Sequence, residues 1–142
     1  MVFRFEKLTN KAQALVAEAQ ARSASAGNPE IDPLQLLSAM LDESDGITRP
    51  LLTKIKADVS QLADLVSSEV ERLPSVSGGR QPGVSPTLQK TFDAAAVSAE
   101  SLKDEYVSTE HLLLGLTKEG GKAKSLLDLV SVSSDDVLQA MS

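Results

Sequence analysis

Two stretches of the sequence decide the fold, EIDPLQLLSAML at 30–41 and YVSTEHLLLGLT at 106–117. They align with a shift of 76 residues, and each places an aliphatic residue and a short polar turn before a run of leucines. The same shift carries 8–20 onto 84–96, whereas a shift of 75 carries 50–66 onto 125–141. Self-similarity at a fixed period indicates a repeated supersecondary unit. The sequence therefore predicts two tandem copies, with one residue deleted from a loop of the second copy.

Each copy has the apolar spacing of amphipathic helices. In the first helix of each copy the i, i+3, i+4, i+7 stripe consists of Ala12, Leu15, Val16 and Ala19, or of Leu88, Thr91, Phe92 and Ala95. The chain is 42% hydrophobic but only 3% aromatic, so its core must use Leu, Val, Ile and Ala, a composition that favours helices over a sheet. Gly115 aligns with Ala39, which indicates a position where two helices approach closely.

Helix start signals recur at matching positions. Asp32-Pro33 and Ser85-Pro86 each place a capping oxygen before a proline at the first helical position. The other predicted caps are Ser108, which matches Asp32, and the matching pair Asp58 and Ser133. Each copy thus predicts four helices, at 9–25, 33–42, 48–55 and 59–70, and at 86–102, 109–118, 122–129 and 134–141.

The predicted organisation is all-α, with two tandem four-helix repeats packed as one globule of pseudo-two-fold symmetry. Four short helices bury little apolar surface alone, so the two bundles should share a core. Repeat 1 is expected over 1–73 and repeat 2 over 85–142. The intervening 74–84 contains two prolines and three glycines, which is typical of a flexible linker.

The amino-acid composition excludes several cellular locations and classes of partner. The chain has no cysteine, which excludes disulfides and thiolate chemistry and favours a cytoplasmic protein. The net charge of −6 would repel nucleic acid and anionic membranes. The apolar runs are too short for a membrane span or a secretory signal.

Motifs for catalysis, metals or cofactors are not found. The single histidine, His111, follows Glu110, but there is no GxSxG, HExxH or EF-hand spacing. EGGKAKS at 119–125 fails as a phosphate loop, because Leu116 stands where the first glycine belongs and Ala123 where the hydroxyl belongs. We therefore predict no catalytic residue, no metal site and no cofactor in this chain, and we interpret His111 as a solvated first-turn histidine.

Several short motifs follow one another along the chain: LTNKAQ at 8–13, IDPLQLLSAML at 31–41, RPLL at 49–52, LP at 73–74 and STEHLLLGL at 108–116. Their order resembles the double repeat of the Clp N-terminal domain, over almost the whole chain from Leu8 to Met141. LTNKAQ, PLL and LP are similar to ClpB-type AAA+ disaggregases. STEHLLLGL alone is more similar to ClpA and ClpC, the unfoldases that feed a protease.

The resemblance implies a binding module that is not itself an enzyme. Such domains form the mobile outer ring of a hexameric AAA+ machine and bind unfolded or aggregated polypeptides, or adaptors, before threading. The resemblance further implies that ATP and Mg²⁺ belong to later modules. This chain is expected to be an N-terminal domain cut from such a protein, monomeric alone and part of a homohexamer in the full-length protein.

The resemblance also implies three substrate-binding residues, Thr9, Asp104 and Glu110. Without the resemblance, Thr9 is explained as a helix cap, a role that is compatible with substrate binding. Asp104 is explained as a solvated turn residue. Glu110 is either a carboxylate stabilised by the helix macrodipole or also a ligand contact. In ClpC-like relatives both repeats carry this glutamate and read phosphorylated arginine, whereas repeat 1 here has Leu34. A single asymmetric site is therefore expected.

Three functions remain open. The first is a polypeptide-binding module, with a shallow apolar groove between the copies and Thr9, Asp104 and Glu110 on its rim. The second is an adaptor-docking domain of a protease-associated unfoldase. The third is a small acid/base enzyme that uses Glu110 and His111. Replacement of His111 by alanine is expected to abolish the activity of an enzyme and to change the two binding modules little.

Overall fold

The computed structural model describes residues 3–142, and helices dominate this part of the chain. The helices are α1 Asn10–Ser25, α2 Pro33–Asp42, α3 Thr48–Lys54, α4 Val59–Glu71, α5 Pro86–Ser101, α6 Thr109–Glu119, α7 Lys122–Leu129 and α8 Ser134–Met141. All eight were predicted, with every end within one residue, so the all-α class is confirmed. A 3₁₀ turn, Phe5–Lys7, and two short strands, β1 Glu30–Ile31 and β2 Gly83–Val84, were not predicted.

Local capping explains why the helices begin where the sequence indicates. Side-chain oxygens accept first-turn N–H groups at the predicted caps Asp32, Asp58, Ser85 and Ser133, and at Thr9. Each such bond satisfies a donor that has no partner within the helix. The helix starts therefore depend on residues close in sequence, which makes them predictable.

Helix α8 offers a test of this capping by pH. Asp136 Oδ2 accepts hydrogen bonds from the Ser133 N–H at 3.0 Å and from the Ser133 hydroxyl at 2.9 Å. These bonds lower the pKa of the Asp136 carboxyl below its ordinary value of 3.8. The unfolded chain then binds the proton more tightly, so the stabilisation is present above the unfolded-state pKa and is lost as pH falls through the folded-state pKa.

We accordingly expect Asp136→Asn to destabilise the domain at neutral pH, with a difference from wild type that shrinks as the pH falls below about 4. The free energy of unfolding from urea denaturation at a series of pH values measures this difference. Asp135→Asn, which removes a neighbouring carboxylate that accepts no side-chain bond from Ser133, is the matched control. A difference that stays constant or grows toward low pH would contradict the capping account.

Backbone pairing between the repeats is consistent with the predicted pseudo-two-fold symmetry. Ile31 of β1 pairs in parallel with Val84 of β2, and Leu8 forms a parallel bridge with Val107. The 76-residue shift converts Leu8 into Val84 and Ile31 into Val107, so the two pairings are equivalent. The segment before the first helix of each repeat thus pairs with the segment before the second helix of the other repeat. This exchange places the starts of α1 and α6 side by side.

One continuous core joins the two repeats. Helices α2 and α6 bury most of their residues, and α6 packs along the length of α5. The core is mainly leucine and alanine, with Phe92 stacked against Phe3 at a ring-centroid distance of 4.8 Å. Among residues 3–142, no helix has the length and apolar character needed to cross a bilayer.

The segment predicted as a linker is bonded to repeat 1 at its beginning. The Val76 N–H donates to the Gly27 carbonyl at 2.8 Å, and the Asn28 side chain donates to the Pro74 carbonyl at 3.0 Å. Its last two residues form β2. The repeat boundaries and the flexibility between these anchored ends stay predictions.

Candidate functional site

A cleft of about 390 Å³ opens between the two repeats, where α1 and α6 begin. Repeat 2 contributes Ser108, Thr109 and Glu110, and repeat 1 contributes Thr9, Asn10, Lys11, Glu43 and Ile47. Two of the predicted binding residues, Thr9 and Glu110, therefore lie in the same cleft. Ile47 is the only hydrophobic residue among these eight, but apolar atoms provide most of the surface that lines the cleft, in agreement with the shallow apolar groove that we expected.

The cleft presents the carboxylate of Glu110, which is partly exposed at its wall. A ligand that supplies an N–H could donate a hydrogen bond to it. Glu43 Oε1 has no hydrogen-bond partner among residues 3–142, but it is buried against Gly46 and is not open to a ligand. Lys11 is turned to the side, where its Nζ donates to the Asp45 carbonyl at 3.2 Å. The cleft is thus suited to a ligand that carries hydrogen-bond donors or positive charge.

The position related to the cleft by the pseudo-two-fold symmetry is occupied by packed side chains. Leu34, the counterpart of Glu110, is 2% exposed and belongs to the core. Thr87, the counterpart of Lys11, packs against Gly121 so closely that a Cβ on that glycine would lie 2.8 Å from Thr87 Cγ2. The two-fold symmetry of the backbone therefore does not extend to the site.

Loop length accounts for the difference. Residues 43–47 connect α2 to α3, whereas only 120–121 connect α6 to α7. The longer loop supplies Glu43 and Ile47 to the cleft. The change of the repeat shift from 76 to 75 between 117 and 125 was the available signal for this loop, but it could not show which side chains would face the cleft.

Asp104 occupies a different place from the other two predicted residues. It lines a separate cavity of about 90 Å³ with Phe3, Lys7 and Val107 among its neighbours. Its side chain is 51% exposed, and its Oδ2 lies 2.8 Å from His111 Nε2. Asp104 is thus connected to the start of α6 through the imidazole and is not among the residues that line the cleft.

The expectation that His111 is solvated was wrong, because the imidazole points back toward the helix start and is 3% exposed. Its Nδ1 accepts the Ser108 N–H at 2.9 Å, with the Ser108 hydroxyl at 3.0 Å from the same atom. Since a backbone amide can only donate, the hydrogen-bond partners assign the ring proton to Nε2, which donates to Asp104. The imidazole takes the position of the Glu or Gln of a capping box.

The arrangement Ser108–His111–Asp104 contains the three side-chain types of a hydrolase triad, although no motif in the sequence indicated that Ser108 and Asp104 would contact the histidine. Here the lone pair of Nδ1 receives the Ser108 amide, so it is occupied, and a general base needs a free one. Replacing His111 by alanine would remove a helix cap in any case. That substitution cannot separate an enzyme from a binding module, contrary to our expectation. Among residues 3–142 no group of three or more His, Asp or Glu side chains is placed to hold a metal ion.

Comparison with known proteins identifies the family. The profile described as Clp repeat (R) N-terminal domain matches residues 7–130. The chaperone protein ClpB of Rhodopirellula baltica is 59% identical over 142 residues, which is 100% of this chain and 16% of that protein. The chain therefore spans about one-sixth of the length of this relative.

Solved structures share the fold at low sequence identity. The Hsp104 N-terminal domain from Candida albicans superposes with a TM-score of 0.82 at 19% identity, covering 94% of this chain and 87% of that one. A ClpV N-domain solved in complex with a VipB peptide superposes with a TM-score of 0.75 at 17% identity, covering 96% and 89%. Family profile, ClpB similarity and fold agree, and the chain belongs to the Clp repeat N-terminal domain family.

Proposed function

We propose that this chain is the N-terminal substrate-binding domain of a ClpB-type, ATP-dependent disaggregase of the cytoplasm. It engages unfolded or aggregated polypeptides in the cleft between the repeats before downstream AAA+ modules, assembled as a homohexamer with ATP and Mg²⁺, thread them. The observation that carries the proposal is the open cleft, to which one repeat contributes Thr9 and the other Glu110. The ClpB similarity supports the kind of parent protein.

The chemistry of the cleft matches what an unfolded chain exposes. Backbone N–H groups and basic side chains of a client would donate to Glu110, while an apolar client side chain would contact Ile47. Thr9 Oγ1 accepts the Ala12 N–H at 3.2 Å, and its hydroxyl hydrogen is free to donate to a client carbonyl. Such a small site binds weakly, which suits a domain that passes its client on. Several copies in a ring would add avidity.

Binding of an unfolded and a native form of one protein tests this proposal. Reduced, carboxamidomethylated lysozyme stays unfolded, and we use it labelled with a fluorophore as the unfolded probe. Fluorescence anisotropy should show saturable binding to the unfolded probe at least about tenfold tighter than to native lysozyme, a difference of ~1.4 kcal/mol. Acetylation of the probe's lysines should weaken binding, because it removes positive charge. Equal affinity for the native and unfolded forms, or no binding to either, would overturn the proposal.

The second candidate is docking of a defined partner segment, as in an adaptor-binding N-domain of a ClpA- or ClpC-type unfoldase. It is favoured by the ClpV N-domain, which shares this fold and was solved with a VipB peptide. Peptides that tile the lysozyme sequence, together with scrambled versions of the same composition, distinguish the two. Client binding predicts that many tiled peptides bind and that their scrambled versions bind with similar affinity. Docking of a defined segment predicts that few or none of the tiled peptides bind and that scrambling removes any binding.

A further inference from the structure

The contact between Asp104 and His111 has a counterpart in repeat 1. The residues 76 positions earlier are Asn28 and Gln35, and Gln35 Nε2 donates to Asn28 Oδ1 at 2.8 Å. That distance equals the one between His111 Nε2 and Asp104 Oδ2. Both members of the repeat 1 pair are buried, and neither carries a charge. The link is thus present in both repeats, although the cleft lies beside the first turn of α6, which contains His111 of the repeat 2 pair.

The backbone has the same conformation before Asn28 and before Asp104. Asn28 and Asp104 each follow a residue of positive φ, 73° at Gly27 and 62° at Lys103. Their N–H groups donate to the carbonyl five residues earlier, at 2.9 Å and 2.8 Å. These bonds are those of a Schellman motif, which ends α1 and α5. Helix termination therefore places a polar side chain against the first turn of the next helix in each repeat.

We infer that Asp104 is a positioning residue, which orients Glu110 through His111 and does not itself contact the client. This inference rests on the proposed function and assigns a different role to one of its three residues. The presence of the same side-chain link in both repeats supports this role. If Asp104 served only to contact a client, repeat 1 would not need the equivalent link. The pair in repeat 1 shows that the link forms without charge, whereas recognition of a basic client would need the carboxylate.

A series of hydrogen bonds connects Asp104 to the helix turn that carries Glu110. Asp104 accepts a hydrogen bond from Nε2–H of the buried His111 ring. Nδ1 of the same ring accepts a hydrogen bond from the Ser108 N–H at the cap of α6. Glu110 lies between Ser108 and His111 in the first turn, so any shift of this turn redirects its carboxylate in the cleft. Without Asp104, Nε2–H loses its partner in a buried place, which is costly unless the turn rearranges.

Three variants separate positioning from contact. Asp104→Ala breaks the link, the double variant Asp104→Asn/His111→Gln installs the pair found in repeat 1, and Glu105→Ala removes the adjacent exposed carboxylate as a control. Glutamine at the third helical position also serves in a capping box, so the double variant should fold. Circular dichroism checks folding, and the unfolded lysozyme probe reports binding.

We expect Asp104→Ala to weaken probe binding about fivefold, or ~1 kcal/mol, and to move the Glu110 amide in ¹H–¹⁵N spectra of the free domain. The double variant should restore both the affinity, to within about twofold, and the Glu110 amide position, although it lacks the carboxylate. Glu105→Ala should change neither. In wild type, imidazole ¹⁵N spectra should show the proton on Nε2.

The inference is overturned if the double variant binds as weakly as Asp104→Ala, because the carboxylate itself then contacts the client. It is equally overturned if Asp104→Ala leaves the Glu110 amide unmoved. Failure of the proposed function looks different: wild type would not bind the probe at all. The spectra of the free domain would still decide in that case whether Asp104 positions Glu110.

Discussion

Replacement of Gly115 by valine is expected to lower the free energy of unfolding by at least about 3 kcal/mol, at the upper end of what overpacking of a core costs. A Cβ at this position would lie 2.4 Å from the Thr91 carbonyl oxygen and 3.2 Å from Ala95 Cβ. The first of these contacts is with backbone of α5, which cannot move aside as a flexible side chain can. Helices α5 and α6 would have to separate, and much of the shared core lies on α6.

Urea denaturation followed by circular dichroism measures this effect. Gly83→Val is the matched control, because a Cβ on Gly83 meets nothing within 4 Å and valine favours a strand. We expect the control to unfold near the wild-type urea concentration and Gly115→Val to unfold far below it or not to fold. Similar midpoints for the two variants would contradict the close approach of α5 and α6.

The second large effect is expected at the site, where Glu110→Leu should weaken binding of the unfolded lysozyme probe about tenfold or more, or ~1.4 kcal/mol. This substitution gives repeat 2 the residue that repeat 1 has at Leu34. It removes the partly exposed carboxylate from the cleft wall and places an apolar side chain beside Ile47. The free energy of unfolding should change little, because Glu110 makes no side-chain hydrogen bond or ion pair within residues 3–142.

Two further variants test whether binding depends on the charge of Glu110 and on its place at the start of α6. Glu110→Gln retains the size and the hydrogen-bonding oxygen and loses only the charge, so its affinity should lie between those of wild type and Glu110→Leu. Glu119→Leu alters an exposed glutamate at the other end of α6 and should bind as wild type does. Unchanged affinity of Glu110→Leu would show that clients bind outside the cleft.

The helices were predictable because their signals are local. Apolar spacing, capping oxygens and prolines at first helical positions all act within a few residues, and the caps at Asp32 and Ser85 bond as expected. The need for a small residue at Gly115 was likewise visible, because the repeat aligned it with Ala39. The strand pairings joined residues far apart in the chain, such as Leu8 and Val107, and no periodicity of two residues marked them.

The asymmetry of the candidate site was expected where the two repeats differ in residue type. Leu34 and Glu110 led us to expect one asymmetric site, and the first of them is buried whereas the second is partly exposed. Glu43 and Ile47 were missed, because they belong to the loop whose length breaks the repeat. The burial of His111 was missed because an imidazole at the third helical position can reach back to the cap, a geometry that sequence spacing permits but does not require.

The most direct test of the account is a titration of the ¹⁵N-labelled domain with unlabelled, unfolded lysozyme, followed by ¹H–¹⁵N spectra. The account predicts that chemical-shift changes concentrate at the amides of 9–11 and 108–110, on the two sides of the cleft. A larger cavity of about 620 Å³ beside Gly27 and 75–80 serves as an internal comparison and should show little change. Changes confined to that cavity, with the amides of Thr9 and Glu110 unmoved, would contradict the central claim.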